Sequence, residues 1–248
     1  MSLPPSRVRR ALVILVPAPA AAAIFLLSFR WSPAALLPFL LAAPLFPVFA
    51  SAVRRGDDRS ALSSVLVWAV ALILCATAVS MLWQPEAEAA ILRSRQYAEE
   101  SVQWVRTGEG PEGSPALFLP RHALVFALFS LVSVATGGLG ALVLGAAQLN
   151  YMSYYVASLC RLGGGVPAVL VLGWPPWALV RVVSYIALGT ALARPLLARI
   201  PPRPEPAHPI CWPLLWAGLG GVLLDAVLKT VLAAPWRRLL LAVLGGTP

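Results

Sequence analysis

Asp225 is the one acid inside a strongly apolar run, and Lys229 follows it one helical turn later on the same face. A carboxylate in lipid is costly, so it should face other helices and be paired. Lys229 and Arg181, near the start of the preceding apolar run, are the candidate partners. Such a group serves either a proton or ion relay or a structural ion pair. The structural pair is the preferred reading, because a relay usually needs more than one buried acid. His122 and His208 both lie at run boundaries, and His208-Pro-Ile-Cys211 supplies two soft ligands. Zinc needs three or four, so no metal site is predicted. No HExxH, GxSxG, CxxC, P-loop or dinucleotide fingerprint occurs. The common enzyme classes are therefore disfavoured, and no catalytic residue or cofactor is assigned.

Other residues carry packing chemistry. Ser133, Gly137, Ala141 and Gly145 recur every four positions in one apolar run. Small side chains at that spacing let two helix backbones approach closely, so a helix-packing face is predicted. Ala217 and Gly221 form a weaker second face. Trp174-Pro-Pro-Trp177 reads as an interfacial aromatic anchor, next to a turn at Arg161, Gly163 and Gly164. Cys75, Cys160 and Cys211 have no paired spacing, and no disulfide framework is expected.

The elements that position these residues must sit in a membrane. The chain is 59% hydrophobic and 12% charged, with mean hydropathy +0.80, whereas a soluble domain carries about 25% charge. Runs at 11–29, 34–53, 61–82, 123–147, 177–197 and 212–234 each approach the ~20 residues that cross a bilayer. Pro38, Pro44 and Pro47 should kink the second run. Ser60 is a plausible N-cap for the third. The N-terminal run after Arg7, Arg9 and Arg10 is long for a signal peptide and is read as a retained span. The expected fold is all-α: a single polytopic bundle of about six spans over residues 1–248. Seven spans result if 151–173 also crosses.

Residues 84–121 form the one long hydrophilic segment. Ala87, Ile91, Ser94, Ala98, Val102 and Val105 recur at helical spacing, predicting one amphipathic surface helix. The segment holds six Glu and four Arg, net −2, leaving +11 on the rest. This asymmetry predicts a cytoplasmic N-terminus, an external 84–121 segment and basic loops inside. Residues 148–176 mix a polar aromatic band, Arg161 and three glycines. They are expected to end in a re-entrant or interfacial piece at the cytoplasmic face. Pro235-Trp-Arg-Arg should begin a short amphipathic tail on that same face.

From about Leu128 onward the chain resembles the Yip1-domain membrane proteins found in bacteria. The carrying residues are Arg161-Leu-Gly163-Gly164, Arg181-Val-Val-Ser-Tyr185, Ile200-Pro201 and a span containing Trp216. The resemblance implies a helical bundle without a catalytic centre, acting through partner proteins and lipids. It also implies a cytoplasmic Gly163-Gly164 turn. The resulting expectation is a bacterial inner-membrane scaffold or accessory subunit, bound by lipids and by other subunits or itself, with no nucleic-acid partner. A transporter component is the first alternative. A lipid-modifying enzyme using Asp225 and His122 is the second.

Overall fold

The computed structural model describes residues 17–28, 33–200 and 210–245, and every regular element among them is helical. Helix α1 is Pro17–Ser28, α2 Leu37–Ala42, α3 Phe46–Arg54 and α4 Asp58–Leu82. Then come α5 Gln84–Ala90, α6 Ser94–Thr107, α7 Pro115–Ala135 and α8 Leu139–Arg161. The chain finishes with α9 Val166–Leu172, α10 Pro176–Leu197 and α11 Trp212–Val243. Four of these, α4, α7, α10 and α11, are long and apolar enough to cross a membrane.

Several expectations change, each for a local reason. The second run is no kinked span but two short helices, α2 and α3, divided at 43–45, with Pro38 and Pro47 each at a helix start. Trp68 Nε1 of α4 donates to the Leu41 carbonyl at 3.0 Å, satisfying an acceptor at the end of α2. The cap of α4 is Asp57 rather than Ser60. Asp57 accepts from the Ser60 amide at 3.1 Å and from the Ser60 hydroxyl at 2.7 Å.

The run 123–147 breaks between α7 and α8. Gly137 and Gly138 adopt φ +61° and +91°, and the chain reverses there. Ser133 therefore lies on α7, Gly137 in the turn, and Ala141 and Gly145 on α8. The four do not form one stripe. Residues 148–161 continue α8, as a helix running on to about Leu162 requires, and the short helix α9 follows the glycine turn. The 84–121 segment is two helices joined by a turn at Arg93 (φ 61°), and its last residues already belong to α7. Residues 235–241 are no separate tail; they extend α11, with Pro235 inside it.

Helix α8 is 23 residues long but carries the polar band from Gln148 to Ser158. It tolerates that band because α2, α4, α6 and α7 pack around it. Asn150, Met152, Ser153, Tyr154 and Tyr155 are all buried. A helix wrapped by other helices need not be apolar all round.

Contacts define two ends of the bundle. At the first, Arg194 pairs with Asp58, the Cys211 thiol donates to Asp58 Oδ2 at 3.3 Å, and Arg54 donates to the Ile200 carbonyl at 3.1 Å. At the second, Arg161 Nη1 donates to the Ser80 carbonyl at 2.7 Å, and Trp236 Nε1 donates to the Leu172 carbonyl at 2.8 Å. The expected opposition of 84–121 to Gly163–Trp177 is thereby corrected. Both segments, and the end of α11, gather at one end of the bundle. The loop that ends α3 lies at the other.

Candidate functional site

Helices α10 and α11 pack most intimately along small residues of α11. A Cβ built on Gly218 would lie 2.4 Å from Leu188 Cγ, and one on Gly221 would lie 2.0 Å from Ser184 Oγ. The weaker of the two predicted faces is thus the close one, shifted to Gly218 and Gly221. Asp225 lies one turn beyond Gly221, and Arg181 almost one turn before Ser184. The close approach brings these two charges together.

Arg181 donates to Asp225 through Nε (2.9 Å to Oδ2) and Nη2 (2.9 Å to Oδ1). This two-pronged geometry is the strong form of an ion pair. His122 Nδ1 of α7 stands 3.8 Å from Asp225 Oδ2. Lys229 does not pair with Asp225. Its Nζ lies 2.8 Å from Glu112 Oε2 and 4.6 Å from the centre of the Phe118 ring. The Lys229–Glu112 contact is an ion pair without aligned hydrogen-bond geometry. The Lys229 side chain is fully buried, and Asp225 is 3% exposed, so each charge depends on its partner.

A lid closes this end. Helix α6 ends at Gly108 in a left-handed conformation, and Arg237 of α11 donates to its last carbonyls. The Nε donates to Trp104 and Val105 at 3.1 and 2.9 Å, and Nη2 to Arg106 at 2.8 Å. A cation at those orphan carbonyls caps the helix and complements its dipole. Tyr97 of α6 packs at a tilt against Tyr151 (4.5 Å between ring centres) and edge-on against Tyr155 (5.9 Å) of α8. Burial pushes the Tyr97 hydroxyl well above its usual pKa. On the other flank the Tyr154 hydroxyl donates to Glu88 at 2.5 Å, and Arg95 pairs with the same carboxylate. The tyrosine hydrogen bond first, and Arg95 after it, hold the Glu88 carboxyl below its usual pKa.

Of the predicted site residues, Arg181 and Asp225 meet directly, while Lys229 is redirected to Glu112. The turn after Arg161 exists, with Gly163 and Gly164 at φ +115° and +90°. A Cβ on Gly164 would come within 2.2 Å of the Val243 carbonyl, so this turn seats on the end of α11. Trp177 is no exposed anchor. It is 2% exposed and packs edge-on against Trp236 at 6.1 Å, while Trp174 is half-buried against the core. His208 lies outside the described residues. Cys211 bonds to Asp58, and all three cysteines are free. Among the described residues no three His, Cys, Asp or Glu side chains cluster as metal ligands would.

Glu112 and Arg237 were missed. A lone Lys in an apolar run demands a counter-ion, so an acid from the hydrophilic segment was the available signal; nothing in the sequence pointed to Glu112 in particular.

No family model, curated protein or solved structure matches this chain. The functional reading therefore rests on the geometry and on the sequence itself.

Proposed function

We propose that this is a non-catalytic polytopic membrane protein, a scaffold or accessory subunit of a membrane complex. The observation that carries the reading is the uneven covering of its spans. Helices α7 and α11 bury only 17% and 22% of their most apolar windows within the chain, against 44% and 50% for α4 and α10. On α11 the residues Trp212, Trp216, Leu223, Val227 and Val231 form an exposed stripe at helical spacing. On α7 Leu117, Leu124, Leu128 and Leu131 do the same. Lipid covers such faces adequately, and so does a partner helix. The charges behind them are already paired, so Asp225 is committed to Arg181 and unsuited to general acid or base work. The Yip1-like motifs fit the helical-bundle part of this reading but not its orientation, because the Gly163-Gly164 turn shares the external end with α5 and α6, where the resemblance implies a cytoplasmic turn. They supply the Gly163-Gly164 turn against α11 and the Arg181 to Tyr185 stretch that holds Asp225.

In this reading α8, shielded by its neighbours, crosses the membrane with the four apolar helices, and the chain resides in a bacterial inner membrane. The end bearing Arg54, Arg55, Arg59, Arg194 and Arg199 is cytoplasmic. The end bearing α5, α6 and their glutamates is external. Membrane-impermeant thiol labelling of single-Cys variants at Arg59 and Glu109, in a Cys-free background, reads this in intact cells. Labelling at position 59 but not at 109 reverses the orientation.

The function itself is tested by purification in mild detergent. The reading predicts a stoichiometric complex with another membrane subunit, or with a second copy. It also predicts that Leu223→Ser with Val227→Ser weakens that complex without lowering the yield of folded chain. A lone chain stabilised by a small solute instead supports the transporter alternative.

A further inference from the structure

Two contacts draw the loop between α3 and α4 against the end of α10. Arg54 Nη2 donates to the Ile200 carbonyl at 3.1 Å, and Arg194 pairs with Asp58. The segments joined in this way, 54–59 and 194–200, carry five arginines and two aspartates, net +3. Both aspartates work within the fold. Asp57 caps α4, while Asp58 takes Arg194 and the Cys211 thiol. The surplus at this end is therefore cationic, whereas the hydrophilic segment at the opposite end is net −2.

Arg55, Arg59 and Arg199 carry that surplus, and all three are exposed. The Arg59 and Arg199 side chains make no hydrogen bond or ion pair among the described residues. Arg55 donates to the Ser51 hydroxyl and keeps the rest of its guanidinium donors. Like charges gathered on neighbouring segments repel one another, so their gathering is unfavourable unless an anion lies among them.

The depth of these residues says which anion. Helix α4 begins at Asp58, α10 ends at Leu197 and α11 begins at Trp212. All three helices are long and apolar enough to cross a membrane, so their shared end lies at headgroup level. Trp212 is exposed there, next to Cys211 and its bond to Asp58, and Ile200 is exposed beside Arg199. Tryptophan favours that depth. The anion met at that depth is the lipid phosphate, and a guanidinium fork matches a phosphate through two parallel hydrogen bonds. A choline headgroup would bring its own cation against the three arginines, so the favoured lipid carries net negative charge.

We propose that Arg55, Arg59 and Arg199 bind the headgroup phosphate of an anionic phospholipid in the leaflet at this end of the bundle. The site lies apart from Leu223 and Val227, on which the scaffold reading rests, and either orientation of the chain leaves it at a membrane surface.

The test titrates the full chain, purified in an uncharged detergent, with phosphatidylglycerol or phosphatidylcholine of identical acyl chains and reads bound lipid by native mass spectrometry. Each arginine near an anionic headgroup is worth roughly fivefold in affinity, so phosphatidylglycerol should bind about a hundredfold tighter than phosphatidylcholine. Arg55→Gln with Arg59→Gln and Arg199→Gln should erase that preference. Arg59→Gln with Arg199→Gln, which breaks no contact among the described residues, should weaken phosphatidylglycerol by about twenty-five-fold. Arg93→Gln with Arg106→Gln and Arg238→Gln removes the same charge from the opposite end and should leave the preference intact. A melting midpoint matching the parent's in lipid-free detergent shows that a substituted chain is folded. Equal binding of the two lipids to the parent, or an equal loss in the two triple variants, overturns the proposal. Glycerol 3-phosphate that binds as tightly as phosphatidylglycerol makes the ligand a soluble phosphate and overturns the lipid assignment.

Discussion

Replacing Asp225 with Leu isolates the buried charge network. The change strands Arg181, which loses both of its hydrogen bonds to a carboxylate 3% exposed. Breaking such a buried pair from one side costs roughly 3–5 kcal/mol. For a chain of this size a kcal/mol moves the melting midpoint by about 2–4 °C, so a fall of roughly 6–20 °C is expected. Removing both members is far cheaper, because no charge is left uncompensated. Asp225→Leu with Arg181→Leu should therefore recover much of the loss. Asp225→Leu with Lys229→Leu should not, because Lys229 answers to Glu112. That second double variant should fall further than Asp225→Leu alone, having stranded Glu112 as well. The assay is intrinsic tryptophan fluorescence during heating in a fixed detergent, followed by a double-mutant cycle on each pair. Equal rescue by the Arg181 and Lys229 changes would refute the pairing and restore the helical-neighbour pair that spacing alone favours. Strict additivity in the Asp225–Arg181 cycle would refute the network itself.

The glycines should separate by role. Gly138→Ala forces a Cβ to 2.6 Å from the Phe49 ring at φ +91° and should destabilise measurably in the same melting assay. Gly145→Ala meets nothing and should gain up to about 1 kcal/mol from helix propensity. Gly221→Val should part α10 from α11 and lower folded yield by size exclusion, while Gly220→Val, with open space around it, should not. Glu88 predicts an acid response. Its folded pKa lies below the unfolded value of about 4.3, so its contribution is complete above that value and is lost as pH falls through the folded pKa. Tyr154→Phe removes the leading cause of the depression, so melting between neutral pH and pH ~3.5 should show a smaller acid loss in that variant.

Hydropathy made the helical membrane class legible, because an apolar run near bilayer length has few other uses. It failed where glycine and proline chemistry overrode the run. Ala123 to Ala147 reads as one span, yet Gly137 and Gly138 turn it back, and no periodicity announces a left-handed pair of residues. Residues 34–53 read as a bent span, and the prolines instead start two short helices. A straight span over 151–173 looked too costly because it would hold Arg161 and three glycines, and α8 indeed ends at Arg161, ahead of the positive-φ Gly163 and Gly164; which neighbours would cover its polar band was not legible. At the site, Arg181 and Asp225 were legible as candidates because buried charge must be paired. The choice between Arg181 and Lys229 was not. It depends on Gly218 and Gly221 drawing α10 against α11, and on Glu112 arriving from a distant loop to claim Lys229.

The most direct test of the scaffold reading places a photo-crosslinking amino acid at Leu223, on the exposed stripe of α11, in cells expressing the full chain. The account predicts a single discrete protein adduct, either a second copy or one other membrane subunit. It further predicts that the same probe at Asn150, buried within the chain, forms no intermolecular adduct. Irradiation that yields only lipid adducts at Leu223 would contradict it, because the uncovered face of α11 would then serve the bilayer alone.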